Sequence, residues 1–509
     1  MSAAAAPRAF ARLRERFATL ADLYQVDGVL EWDQLTGMPA AAAGLRGNQR
    51  ATVTRLAHEL LASRETGRLL ERLDGRLEPG SFEAAFARVA RRLHEKAVLV
   101  PPRLRAEIAA AESEALVRWE EAKRRSEFAV FLPALERTFE LRRRYVERFA
   151  DATDPYDVLL DDWEEGLTTA ELVPLLQQLR DGLVPLLRAC ADREEDVRPR
   201  GRSFPVARQQ RLVRELFQLV GLRPGTWATD VGPHAYLVGI GADDVRVAVP
   251  YHARTLQAIF LALHEAGHAL YENQVAPELA RTPLGSGASL GWHESQSRLW
   301  ENLVGRGLPF WRFFFPRLRA AFPRALAGQR LESFVQEVNL VRPGPIRVAA
   351  DEVSYTLHVV LRVELERDLL AGALAPSEVP SAWNERMEQY LGVRVESDAE
   401  GALQDVHWAA GLVGYFPTYA LGNVLAVQLW ERLLRDLPEL DASLERGDAA
   451  PLREWLGRHL HRHGKLFAPR ELQARLVGGL DAGPYLRYLR LKHGHGATAL
   501  GEPSGGRAL

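Results

Sequence analysis

The sequence is short of residues that several kinds of protein cannot do without. It has one cysteine, Cys190, in 509 residues, so no intramolecular disulfide can form, and a reducing, cytoplasmic location is the expectation. Cys190 sits in a leucine-rich, helical-looking segment with no base beside it, which reads as a small buried hydrophobe rather than a nucleophile. Lysine is confined to Lys96, Lys123, Lys465 and Lys492, so arginine carries nearly all the positive charge and a lysine nucleophile is not expected. The 65 basic and 67 acidic residues leave a net charge of −2, which recommends neither nucleic acid nor an anionic membrane as a partner. Long uncharged apolar runs are missing too, and Met1 to Arg8 reaches charge before a signal-length apolar core can build, so no membrane segment is expected.

What the chain has in abundance is helical periodicity. From Arg8 to about Ala150 the apolar residues fall three and four apart in a background of Ala, Leu, Arg and Glu. Leu30 to Pro39 and Asp154 onward to Gly166 read as irregular breaks. Thr168-Thr169 starts a further helix, and helices run on to about Leu219. The period then changes: Ala235–Ile240 and Asp244–Val249 read as two short strands joined through Gly241-Ala242-Asp243, the one hairpin of the chain. Its edge could pair with an extended peptide or could simply support the helix after it. The expected fold is mainly α, a large single helical domain over 1–509 with room for two lobes flanking a deep cleft, and a small sheet beside one helix. The Gly- and Ala-rich tail 494–509 is expected to fray, and His459, His461, His463, His493 and His495 are read as solvated.

The run after the hairpin, Thr255 to Tyr271, carries His264-Glu265-Ala266-Gly267-His268 on helical spacing. Positions four apart lie on one helix face, so both imidazoles can reach one metal ion, with Glu265 beside them as a proton acceptor for water. The downstream positions that would carry a further Gly and His hold Tyr271 and Gln274, so a three-histidine site is ruled out. Glu294, within His293-Glu294-Ser295-Gln296, is the candidate third ligand; His264, His268 and Glu294 would leave a fourth position open, the arrangement of a catalytic rather than a structural zinc.

Two later stretches carry polar residues in pattern. Gly344 to Leu370 reads as a helix with Arg347, Asp351, Ser354, Tyr355, His358 and Arg362 along one face; this is either an ion-pair network or an arginine poised for a substrate carboxylate. If Gly401 onward is helical, Gln404, His407, Gly411 and Tyr415 share a face, and His407 and Tyr415 could support an oxyanion.

These residues together resemble the Taq-type thermostable metallocarboxypeptidase family over nearly the whole chain. The matching stretches are, in order, Trp32-Asp33-Gln34 to Met38-Pro39, Asp244-Val245-Arg246, the H-E-x-x-H, His293 to Gln296, Ile346 to Asp351, and Gly401 to Trp408 as G-x-x-Q-D-x-H-W. The resemblance implies a zinc exopeptidase, with cobalt or another divalent ion possible, that removes single residues from peptides bearing a free C-terminal carboxylate. It also implies a homodimer. By motif, His264, His268 and Glu294 resemble the metal ligands and Glu265 the general base. Arg347 resembles a substrate arginine, with His234 and Arg246 of the hairpin as further substrate contacts, and His407 and Tyr415 fall among active-site residues. The chain departs from the family where His-Pro-Phe becomes His234-Ala235-Tyr236 and where Ala248 replaces a threonine, which leaves substrate preference open. An oligo-endopeptidase with the same ligands, or a binding protein keeping a metal without turnover, are the alternatives.

Overall fold

The computed structural model describes residues 5–149, 152–191 and 201–494, and all structural statements concern these. Helices dominate, and the only described sheet has three strands: β1 (Trp227–Val231), β2 (Tyr236–Gly241) and β3 (Asp244–Val249). β3 is central, antiparallel to β2 and parallel to β1. The hairpin is where the sequence places it, whereas β1 was missed. Its Trp-Ala-Thr-Asp-Val run has one large apolar residue at each end and reads as loop until β3 supplies a partner.

The sheet is sandwiched. Helix Ala5–Thr36 lies against β2, with Trp32 packed on Val238 and Ala248 and its ring 5.9 Å from that of Tyr236. This packing corrects the expected break at Leu30: the helix runs on through Trp32 and ends where Gly37 and Met38 both donate to the Asp33 carbonyl. On the other side lies the helix Gln257–Asn273, which carries the H-E-x-x-H. Asp154 to Gly166 is also more regular than expected. Asp154 caps a helix Pro155–Trp163 by accepting the Tyr156 N–H at 2.8 Å, with Pro155 in the first turn where its missing N–H costs nothing.

One large apolar core joins the chain from Ala115 to Leu489, and a second gathers the N-terminal helices around Val275, Leu279 and Leu284. Val275 to Leu284 directly follows the H-E-x-x-H helix, so the N-terminal helices are docked on the continuation of the site's own backbone. No described helix is long and apolar enough to cross a membrane. Cys190 is buried, as expected. The tail lies, apart from Gly494, outside the described residues.

The helix expected over Gly344 to Leu370 starts only at Tyr355. Residues Arg347–Ala349 form a single tight turn, and the Asp351 carboxylate accepts the N–H groups of Val353 and Ser354, which caps the true helix start. Residues 401–416 contain no helix: Gly411 and Gly414 adopt φ of 71° and 80°, which a side-chain-bearing residue rarely takes, and the segment folds into successive turns.

Candidate metal and peptide site

Three side chains converge at the centre. His264 and His268 project from one face of Gln257–Asn273, and Glu294 from the crossing helix Leu290–Arg298; their ligand atoms all lie within 4.8 Å of one another. The two helices approach closely enough that a Cβ on Gly267 would stand 2.3 Å from the Gln296 carbonyl oxygen. From the other side a third helix, Pro417–Asp436, presses Gly422 so tightly on Glu294 that a Cβ there would lie 2.4 Å from its Cγ. Glycine at 267 is what lets the H-E-x-x-H face meet the Glu294 carboxylate.

Hydrogen bonds behind the cluster decide which atoms face inward. His264 Nδ1 donates to Glu301 Oε2 at 2.9 Å, which leaves its Nε2 bare, 3.7 Å from Glu294 Oε2. His268 is oriented by a relay. Glu272, an acceptor, takes His293 Nε2–H at 2.8 Å; His293 Nδ1 then accepts from His268 Nδ1–H at 2.7 Å, and His268 Nε2 is left bare 3.5 Å from Glu294 Oε2. Glu294 Oε1 accepts from Arg298 Nε at 2.7 Å. The centre therefore holds two imidazole lone pairs and a carboxylate oxygen with no hydrogen to share among them, a donor set that fits a cation.

Both rings must be neutral to offer these lone pairs; burial favours that for His268, whereas the carboxylates around His264 favour its protonated form until a cation takes the proton's place. Burial opposes ionisation of Glu294, yet Arg298 and His264 hold it well below the usual carboxylate range. Burial likewise opposes Glu301, but Arg298 and His264 hold it at about 2. For His264, burial lowers the pKa while Glu294 and Glu301 more than offset it, so the net direction is up. Burial pushes His268 down to about 4 and Glu265, 4% exposed, up to about 7.

A second cluster adjoins the first through Arg298, whose guanidinium lies 4.1 Å over the Tyr355 ring. The Tyr355 hydroxyl accepts from Arg347 Nη1 at 3.0 Å, and Arg347 Nε and Nη2 both reach Asp405 Oδ1, at 3.1 and 2.8 Å. Arg362 donates to Asp405 Oδ2 at 2.6 Å. The ion-pair network left open by the sequence is thus present, but Arg347 enters it from the tight turn before the helix and not from a shared helical face. Burial opposes Asp405, and Arg347 and Arg362 hold it far below its ordinary value. Asp405 is the only carboxylate in salt-bridge contact with either guanidinium among the described residues.

His407 Nε2 lies 3.1 Å from the Tyr419 hydroxyl, its ring stacks on Phe416, and burial pushes it down to about 3, so it is neutral. Tyr415 packs 5.6 Å from His407 and 5.4 Å from Tyr419, and the Glu294 charge adds to burial in raising it to about 12. His407 and Tyr415 are therefore neighbours, brought together by turns rather than by the helix face the sequence suggested. The hairpin residues stand apart: Arg246 pairs with Asp244 on its own strand at 2.8 and 2.9 Å, and His234 is exposed before β2, its ring 5.4 Å from Tyr236. Tyr236, from the His234-Ala235-Tyr236 departure, and Ala248, the other departure, are direct cross-strand partners, so a hydroxyl gained on one strand faces bulk lost on the other.

Sequence reasoning missed Glu272, Glu301, Arg298 and Tyr419. Glu301 had a signal, since it lies seven residues after Glu294 on the same helical path; the others depend on which helices cross. His461, read as solvated, is buried between Gln274 and Gln296 at 2.6 and 2.9 Å and stacks on Tyr271. The H-E-x-x-H helix thereby packs against a histidine from near the other end of the chain.

A family model described as carboxypeptidase Taq (M32) metallopeptidase matches residues 12–493. Thermostable carboxypeptidase 1 of Thermus thermophilus is 40% identical over 501 residues, covering 95% of this chain and 98% of that protein. Carboxypeptidase 1 of Bacillus subtilis is 35% identical over 448 residues, 87% of this chain and 89% of the relative. Among solved structures, an M32 carboxypeptidase from Deinococcus radiodurans superposes with a TM-score of 0.92 at 38% identity, covering 96% of this chain and 99% of that one.

Proposed function

The chain belongs to the carboxypeptidase Taq (M32) metallopeptidase family, and from that premise we propose that it is a zinc carboxypeptidase acting on peptides through His264, His268 and Glu294 as ligands. The observation that carries this reading is the convergence of three hydrogen-free acceptor atoms, each locked by a partner behind it, beside a buried arginine cluster. Two imidazoles and one carboxylate are the donor set of catalytic zinc; cobalt or another divalent ion would fit the same donors. A bound cation would polarise the scissile carbonyl and make a water easier to deprotonate.

The remaining work falls to the chain's own groups. Glu265, poised by burial near neutrality, takes the proton from the attacking water and returns it to the leaving amine. Tyr415 and the neutral His407 donate toward the oxygen that becomes negative in the tetrahedral intermediate, and Tyr419, in hydrogen-bond contact with His407, fixes its ring. Arg347 is the anchor for the free C-terminal carboxylate, sharing its donors with Asp405, with Arg362 adding positive charge behind it. β2 pairs with a strand on one side only among the described residues, so its other edge is where an extended substrate would add, with His234 just before its start and Arg246 opposite Val238 on the neighbouring strand.

The deciding experiment is mass spectrometry of a peptide and its C-terminally amidated twin, each incubated with zinc-loaded protein and with a chelated control. Stepwise loss of single residues from the free C-terminus, abolished by chelation and by amidation, is expected. Internal cleavage of both peptides would instead assign an oligo-endopeptidase. The proposal extends to a single domain in a cytoplasmic homodimer. Val26 and Val29, exposed, apolar and three residues apart on the first helix, share a face that a second copy would cover, and sedimentation of the Val26→Glu variant reads that directly.

A further inference from the structure

Helix Pro155–Trp163 ends on two adjacent residues that each grip a different part of the site. Glu164 is 7% exposed. Its Oε1 accepts from the Ser289 hydroxyl at 2.6 Å and its Oε2 from the Gly291 N–H at 2.9 Å. Ser289 is itself the cap of the helix Leu290–Arg298, accepting the Trp292 N–H. The first turn of that helix contains no acid of its own, so a carboxylate 127 residues away in sequence takes one of its orphaned N–H groups. Gly291 makes this possible: a Cβ there would stand 2.7 Å from Glu164 Oε2. Glu294 lies one turn further along the same short helix.

Trp163 points to the other cluster. Its indole N–H donates to the Val413 carbonyl at 3.0 Å, and its ring stands edge-on 5.0 Å from Tyr415. Behind it, Gly414 lies so close to Leu159 that a Cβ would fall 2.8 Å from the Leu159 carbonyl oxygen. The turn bearing Tyr415 is thus moulded on the same helix whose end grips the ligand helix.

We propose that Trp163 and Glu164 are a pair of positioning residues with separable effects: Glu164 places the metal ligand Glu294 through the first turn of its helix, and Trp163 places Tyr415 through the Gly411–Gly414 turn. The roles given to Glu294 and Tyr415 rest on the reading above. Their effects pass through the groups they hold: Ser289 and the Gly291 N–H for Glu164, the Val413 carbonyl and the Tyr415 ring for Trp163.

The test measures two quantities on the full-length protein: the zinc dissociation constant, by competition with a chromophoric chelator, and kcat at saturating zinc on a peptide with a free C-terminus. Glu164→Ala is expected to weaken zinc binding about tenfold or more, the scale seen when a group supporting a metal ligand is removed. Trp163→Phe, which keeps an aromatic ring but deletes the donor, is expected to leave zinc affinity within about twofold and to lower kcat about tenfold. Unchanged zinc affinity in Glu164→Ala, unchanged kcat in Trp163→Phe, or equal losses of both quantities in both variants would overturn the proposal. If circular dichroism shows Glu164→Ala unfolded, Glu164→Gln, with one acceptor oxygen kept, decides: zinc binding between wild type and tenfold weaker supports the proposal, and wild-type binding overturns it. A wild-type protein that binds zinc but cleaves neither peptide would sink the peptidase reading and leave the zinc arm intact.

Discussion

Glu265 stands next to His264, one of the proposed metal ligands, yet its own surroundings favour a proton: burial raises it to about 7. Glu265→Gln is therefore expected to keep zinc affinity while lowering kcat by about 10²–10⁴-fold, the usual contribution of a general base, as read by calorimetric zinc titration beside peptide kinetics. Glu272 does the opposite work. Removing it frees His293 to present a hydrogen to His268, so Glu272→Ala should cost about 10–100-fold in zinc affinity, with a smaller change in kcat once zinc saturates. That His264 and His268 share one helix face with Glu265 beside them could be read from the sequence because helical spacing alone places them. The relay through His293 could not, since a hydrogen bond to the back of a ring depends on where a second helix crosses.

Among the elements, the close crossing of the two ligand helices sets the geometry. In Gly267→Ala the new methyl meets a backbone carbonyl, which cannot swing aside as a side chain would; a stability loss of about 1–3 kcal/mol and a weaker zinc site are expected together, checked by thermal unfolding with and without zinc. Element identity was mostly legible. The hairpin at 236–249 alternates clearly, and the H-E-x-x-H helix has a continuous apolar face. The errors came where a helical period persists without a helix. Arg347 to Ser354 keeps the spacing of the following helix, but Pro345 and the Asp351 cap end the pattern before Tyr355. His407 to Tyr415 keeps it too, but Gly411 and Gly414 turn the backbone left-handed. Leu30 to Thr36 failed the other way: a Trp in an apparent break was helix surface packed under a sheet.

At the scale of the molecule, charge is sorted by partner, with Glu294, Glu301 and Asp405 held ionised beside arginines, Glu265 raised by burial, and several histidines neutral. His461 and His407 are pushed by burial from 6.5 down to about 3. In the unfolded chain they bind protons first, so stability falls as pH drops from about 6.5 toward 3, by up to about 1.4 kcal/mol per pH unit for each group. Denaturant unfolding of the metal-free protein at about pH 7, 6 and 5 should show this slope, and His461→Gln should flatten it. The size, helical class and metal chemistry were all readable from composition and motifs, while the burial of His461 was not, because only the folded chain brings residue 461 to Gln274 and Gln296. The site's wiring also differs in reach. The bonds that orient the proposed ligands link His268 to His293 and His264 to Glu301, 25 and 37 residues apart, whereas Glu164 reaches 127 residues to Gly291 and Trp163 reaches 250 to Val413. Short loops close sooner than long ones. A refolding chain should therefore capture zinc well before it regains turnover, and stopped-flow traces of metal uptake and peptide cleavage, started from the same denatured sample, should separate in time in that order.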